Sequence, residues 1–162
     1  MRTFTDNAGR SWTITVNVDG IKRVRSLLDV NLLDVVDGQL LERIVSDPIL
    51  LCDVIYCLVK PEADSKQVAD EDFGRAMAGD AIDHATTALL EELVDFFPGP
   101  KRRVLAKALT KLRMLEARAI EVAETRLDDP TLEAQMEAVL HEQIAGNSSG
   151  NSPVSSALIP DR

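Results

Sequence analysis

The sequence predicts a mainly α protein: an N-terminal β-hairpin, then a helical bundle with a long C-terminal helical hairpin. Three observations carry this. Two runs rich in Thr, Val, Ile and aromatics, "RTFT" and "SWTITV", flank the turn-forming "DNAG", the pattern of a tight hairpin. From residue 17 onward the apolar residues recur at three and four, the helical period. Within that region, Ile49–Val59 is apolar nearly all round, which marks a helix at the centre of a fold.

The elements follow in order. Phe4, Trp12, Ile14 and Val16 give the hairpin one small apolar face, and an isolated hairpin is marginal, so it must pack on helices. "NVDGIKRVRSLLD" opens with the capping-type residues Asn17 and Asp19 and puts Ile21, Val24 and Leu28 on one side. "LLDVNLLDVVDGQLLERIV" repeats Leu-Leu-Asp-Val without continuing any longer period, so it reads as short helical turns and not as a solenoid. Asp47 is a good N-cap and Pro48 a good first residue for the apolar helix. Asp53 is the single interior charge of that helix. It sits at the helix edge, pairs with Arg23 or Arg25, or is a buried catalytic aspartate.

"EADSKQVADEDFGRAMAG" reads as a polar loop followed by a short helix from Ala69 to Ala78. A helix from Asp80 to Phe97 comes next, and Pro100 starts a long one. On it, Leu105, Ala108, Leu112, Leu115, Ala119 and Val122 alternate spacings of three and four, a seam that wants a partner helix. Asp129 and Pro130 restart a helix, and from Gly146 the chain is rich in Ser, Gly, Asn and Pro, the composition of a disordered tail or linker. The expected domains are 1–98, a helical extension 99–145 and a tail 146–162.

Composition narrows the function. With 162 residues, 45% apolar and 28% charged, the chain is sized for one globular domain. Its net charge of −9 repels nucleic acid and anionic membranes, and aromatics at 4% leave little for base stacking. Cys52 and Cys57 match neither a zinc knuckle nor a Cys-x-x-Cys pair and read as buried free thiols of a reducing compartment. The opening residues hold no apolar signal core, and no run reaches the eighteen or so apolar residues that span a bilayer. A cytoplasmic location is expected, with neither nucleic acid nor membrane as partner.

One cluster invites a chemical reading. Asp80, His84, Thr87, Glu91 and Asp95 form a polar stripe opposite Ile82, Thr86, Leu89, Leu93 and Phe96. A di-metal helix site needs matching Glu-x-x-His pairs, and none occurs; nor does a zinc His-Glu-x-x-His, a nucleophile elbow or a phosphate loop. The stripe reads as a solvated acidic face or a docking face for cations. No enzyme activity, metal or cofactor is expected. Lys101, Arg102 and Arg103 lie in the first turn of the next helix, where the macrodipole disfavours cations. Glu91, Glu92 and Asp95, brought near by "FFPGP", are the expected compensation. The basic stripe of Arg103, Lys107 and Lys111 continues beyond it, toward an intramolecular helix, a protein partner or, least favoured by the charge, nucleic acid.

"NVDGIKRVRSLLDVNLLD", "DPILLCDVIYCLVKPEA", "DEDFGRAMAGDAIDHATTALLEELVDFFP" and the basic helix together resemble the tail assembly chaperones of long-tailed bacteriophages and prophages. The resemblance rests on the order of elements over about the first hundred residues: Ser11–Val16, Ile21–Asp29, Leu50–Lys60, Asp70–Gly79 and Ala81–Phe97. It implies a protein that binds the long helical tape measure protein and keeps it soluble in the host cytoplasm before the tail tube polymerises. The tail tube protein and self-association are further partners to be tested. The expected partner surface is Leu105, Leu112, Leu115 and Val122, rimmed by Arg103, Lys107 and Lys111, although the first two leucines equally fit a core. A structural tail completion or connector protein, which would stay in the particle, is the alternative.

Overall fold

Trp12 explains why the hairpin cannot stand alone. The computed structural model, which describes residues 1–147, places its indole fully out of solvent, edge-on to Phe73 with ring centroids 5.3 Å apart. The chain is mainly helical after an N-terminal antiparallel hairpin. Strands β1 (Arg2–Thr5) and β2 (Ser11–Ile14) are followed by α1 (Val18–Leu28), a 3-10 turn (Leu32–Asp37), α2 (Gln39–Ser46), α3 (Pro48–Ser65), α4 (Asp70–Arg75), α5 (Asp80–Phe96), α6 (Gly99–Leu127) and α7 (Pro130–Asn147). Contacts divide it into two units, Met1–Arg113 and the residues from Met114 on. No helix among the described residues is long and apolar enough to cross a membrane.

In the hairpin, Phe4 lies across from Trp12 and Thr5 from Ser11. Gly9 takes a positive φ of 76° in the loop, a conformation that favours glycine. Asp6 holds the loop together. Its carboxylate accepts from Ala8 N (3.0 Å), Arg10 N (2.9 Å), Arg10 Nε (2.7 Å) and Trp12 Nε1 (2.8 Å). Burial pushes this carboxyl up, but the hydrogen bonds from Trp12 and Arg10, with the guanidinium charge, outweigh it and hold Asp6 below its ordinary value.

Helix starts follow local chemistry. Asn17 caps α1 by accepting from Gly20 N at 2.8 Å, and Asp47 caps α3 by accepting from Ile49 N and Leu50 N. The two helices pack closely at Gly20, where an added Cβ would lie 2.9 Å from Leu58 Cδ2. The α3 helix is the central element, burying Leu51, Val54, Ile55, Cys57, Leu58 and Val59. It does not stop at Pro61, where the sequence suggests a loop, but runs to Ser65. Proline removes the N–H that would reach the Cys57 carbonyl. Arg23 supplies the missing donor: its Nη1 donates to Cys57 O at 2.9 Å and to Leu58 O at 3.4 Å.

That engagement also corrects the expected pairing of Asp53. Arg23 meets Asp19 at 2.5 Å and Arg25 meets Asn31, so neither answers Asp53. Asp53 stays at the half-exposed edge of α3. Burial, with Asp70 and Asp47 nearby, raises its pKa. The short helix predicted from Ala69 to Ala78 is confined to α4, Asp70–Arg75.

The first unit extends past the Phe97–Pro100 corner, where the sequence places a domain boundary. The first turns of α6 close its core: Leu105 is 3% exposed and Leu109 is buried, both in the same apolar cluster as Trp12 and Leu93. In the second unit the rest of α6 and α7 leave most of their larger apolar side chains, among them Met114, Leu115, Met136 and Ile144, exposed, with Leu132 half-buried. The two C-terminal helices are present, but they bury no common seam among the described residues. Asp129 caps α7, accepting from Thr131 N at 2.9 Å. That helix runs to Asn147, and the tail expected from Gly146 falls, from residue 148 on, outside the described residues.

Candidate protein-docking surface

The acidic stripe of α5 takes up cations of the chain at its C-terminal end, but not the cations expected there. Arg2 bridges Glu91 (2.9 Å) and Asp95 (3.0 Å), and Arg113 lies 3.6 Å from Glu91. Glu92 is buried; it meets the N-terminal amine at 2.5 Å and accepts from Val16 N at 3.5 Å. These carboxylates therefore do not compensate Lys101, Arg102 and Arg103. Only Arg102 answers α5, and it does so through backbone: Nη2 donates to Asp95 O at 2.8 Å and Nε to Phe97 O at 3.2 Å. Its cation sits at the electronegative end of one helix while starting the next, which offsets the unfavourable first-turn position.

Asp80 and His84 are exposed, and no hydrogen bond joins them among the described contacts. Among the described residues, no group of three or more His, Cys, Asp or Glu side chains is placed to hold a metal. Cys57 is buried and Cys52 half-buried. Burial, with Asp53 and Asp70, pushes both thiols up, the direction opposite to an activated thiolate.

The remaining distinctive feature is α6. Its seam begins in the core, with Leu105 and Leu109 buried and Ala108 and Leu112 packed half-buried against it. Further along, the same spacing continues into solvent: Leu115 is 65% and Val122 44% exposed. At 100° per residue Ile120 and Leu127 turn instead toward the Leu109 side, well round the helix from Leu115 and Val122, and are exposed too, as is Met114. Arg103, Lys107 and Lys111 are exposed, and no ion pair involves them among the described contacts. At helical spacing only Lys111 borders the seam; Lys107 lies farther round and Arg103 falls opposite Leu105, so the expected rim is met by Lys111 alone.

The predicted surface thus divides. Leu105 is core, Leu112 is half core, and Leu115 and Val122 are open apolar surface. Leu109 was missing from the predicted seam, although its place four residues after Leu105 marks it. Met136, Val139, Leu140 and Ile144 of α7 add exposed apolar groups that the seam on α6 did not foretell. Compared with known proteins, the chain matches no family model, no curated protein and no solved structure.

Proposed function

We propose that the protein works by covering another helical chain, and that it is a tail assembly chaperone holding a phage tape measure protein soluble until the tube forms. The observation that carries this reading is the seam of α6, which continues at unbroken spacing past the point where the core stops using it. Leu105 and Leu109 stabilise the first unit, whereas Leu115 and Val122 stay exposed. Monomers rarely leave large apolar side chains clustered in solvent without a use for them. A helix-in-groove or helix-on-helix partner reads i, i+3, i+4, i+7 anchors, the spacing offered here. The resemblance of the first hundred residues to the phage chaperones supplies the partner's identity.

Co-expression with the candidate tape measure protein tests this. The partner is expected to become soluble and to co-purify. Leu115→Glu together with Val122→Glu should abolish that capture without moving the thermal transition of the protein itself. A partner that stays insoluble beside the wild-type chain, or is captured equally by the doubly charged variant, would overturn the reading.

A further inference from the structure

We infer that β1 is a self-association edge, on which a second copy of this chain docks its own β1 in antiparallel register. The two edges of the hairpin are treated differently. On β2, the Thr13 N–H donates to Glu62 Oε2 at 2.9 Å and the Ser11 carbonyl accepts from Lys66 Nζ at 2.5 Å, so side chains of α3 cover that edge. In an antiparallel pair, opposed residues turn their backbone groups the same way, either both toward the partner strand or both away. Thr3 lies opposite Thr13 and Thr5 opposite Ser11. The bond from Asp6 N to Arg10 O (3.0 Å) fixes the same alternation, placing the inward pairs at Asp6, Phe4 and Arg2. Thr3 and Thr5 therefore present N–H and C=O outward. Both residues are exposed, and no partner for these groups appears among the described contacts.

Edges of this kind are usually blunted by proline, lysine, a bulge or a covering element. "RTFT" is short, at four residues, which limits pairing, but it has none of these on its open side, because Arg2 is drawn to Glu91 and Asp95. A groove of about 580 Å³ runs beside the edge, lined by β1 and by His84, Thr87, Ala88 and Glu91 of α5.

A second copy fits this groove by hydrogen-bonding complementarity and by register. Arg2 lies at the Glu91–Asp95 end of α5, and Asn7 at its start, with Asn7 Nδ2 donating to Ala78 O at 2.9 Å. So β1 runs antiparallel to α5. Two strand residues and four helix residues each span about 6 Å, which sets Phe4 level with Thr87 and Ala88. A two-fold axis through Phe4 pairs Thr3 of one copy with Thr5 of the other, and the same axis crosses α5 at its small residues Thr87 and Ala88. His84 of one copy then faces Glu91 of the other, imidazole N–H toward carboxylate, on both sides of the axis. The outward threonines form cross-strand pairs, which are favourable in sheets.

Sedimentation velocity over a dilution series of the full chain tests this. A reversible dimer is expected. Thr3→Pro should weaken it about a hundredfold, since each copy loses a donor and gains a ring at the edge. Its circular dichroism and thermal transition should stay unchanged, because that N–H serves no bond within the copy. His84→Glu, on an exposed position that does not threaten folding, should weaken the dimer about fivefold by setting carboxylates face to face. Leu115→Glu should leave it intact, which separates this contact from the seam of α6. Amide exchange at Thr3 and Thr5 should slow as concentration rises. A chain monomeric at every concentration, or a dimer that neither Thr3→Pro nor His84→Glu weakens, would overturn the inference.

Discussion

Leu105 and Leu115 stand on one helix and belong to one apolar seam, yet one is sealed in the core and the other is mostly in water. The same contrast separates the residues up to Arg113 from those after it. In the first region β2, α3, α5 and the start of α6 bring their apolar faces together around Trp12, Ile55 and Leu93. In the second, most of the larger apolar groups of α6 and α7 stay exposed among the described residues. Periodicity alone therefore reports that a face wants burial; whether it is already buried depends on what the rest of the chain places opposite.

The largest effect that would break this comparison is a pair of matched truncations. Leu105→Ala should cost about 2–5 kcal/mol in urea unfolding, the range for emptying a buried leucine site. Leu115→Ala should stay within about 0.5 kcal/mol, as for an exposed position. Equal losses would mean that Leu115 is covered in solution.

Asp6 sharpens the account of the first region at its loop. Asp6→Ala leaves the buried Trp12 Nε1 without its acceptor and should cost about 1–3 kcal/mol. Because the folded carboxyl is held below its ordinary value, its contribution is complete above about pH 4 and is lost as pH falls through the folded pKa. The gap between wild type and variant in thermal melts should therefore narrow in acid.

The smallest expected effect is at Asp53, whose pKa is shifted the other way. Its raised folded pKa means that it opposes folding at neutral pH and ceases to do so once protonated in both states. Asp53→Asn should stabilise the protein by roughly a few tenths of a kcal/mol at pH 7 and by nothing near pH 3. A destabilised variant at pH 7 would show that Asp53 has a favourable partner.

Much of the first region was legible in the sequence because its signals are local. Asn17, Asp47, Pro48 and Asp129 mark helix starts by side-chain chemistry that acts within one turn, and the strand runs flank a loop whose glycine supplies the required φ. What was not legible depends on distant partners. The passage of α3 through Pro61 needs a guanidinium from α1. The burial of Glu92 and the neutralisation of Glu91 and Asp95 need the N-terminus and Arg2. The role of Asp6 needs the indole of β2 folded back over it. For the candidate surface, spacing identified the seam but not its division into core and open halves, since that is decided by where α5 and the hairpin end.

The arginine that stands in for a lost amide carries an evolutionary corollary. A ring at position 61 and a cation at position 23 form one unit of heredity: the ring alone strands a carbonyl, while the half-exposed cation alone keeps only Asp19 as partner. Descendants of this chain should trade the two residues together, so that covariation between these sites becomes a signature of this particular helix pair.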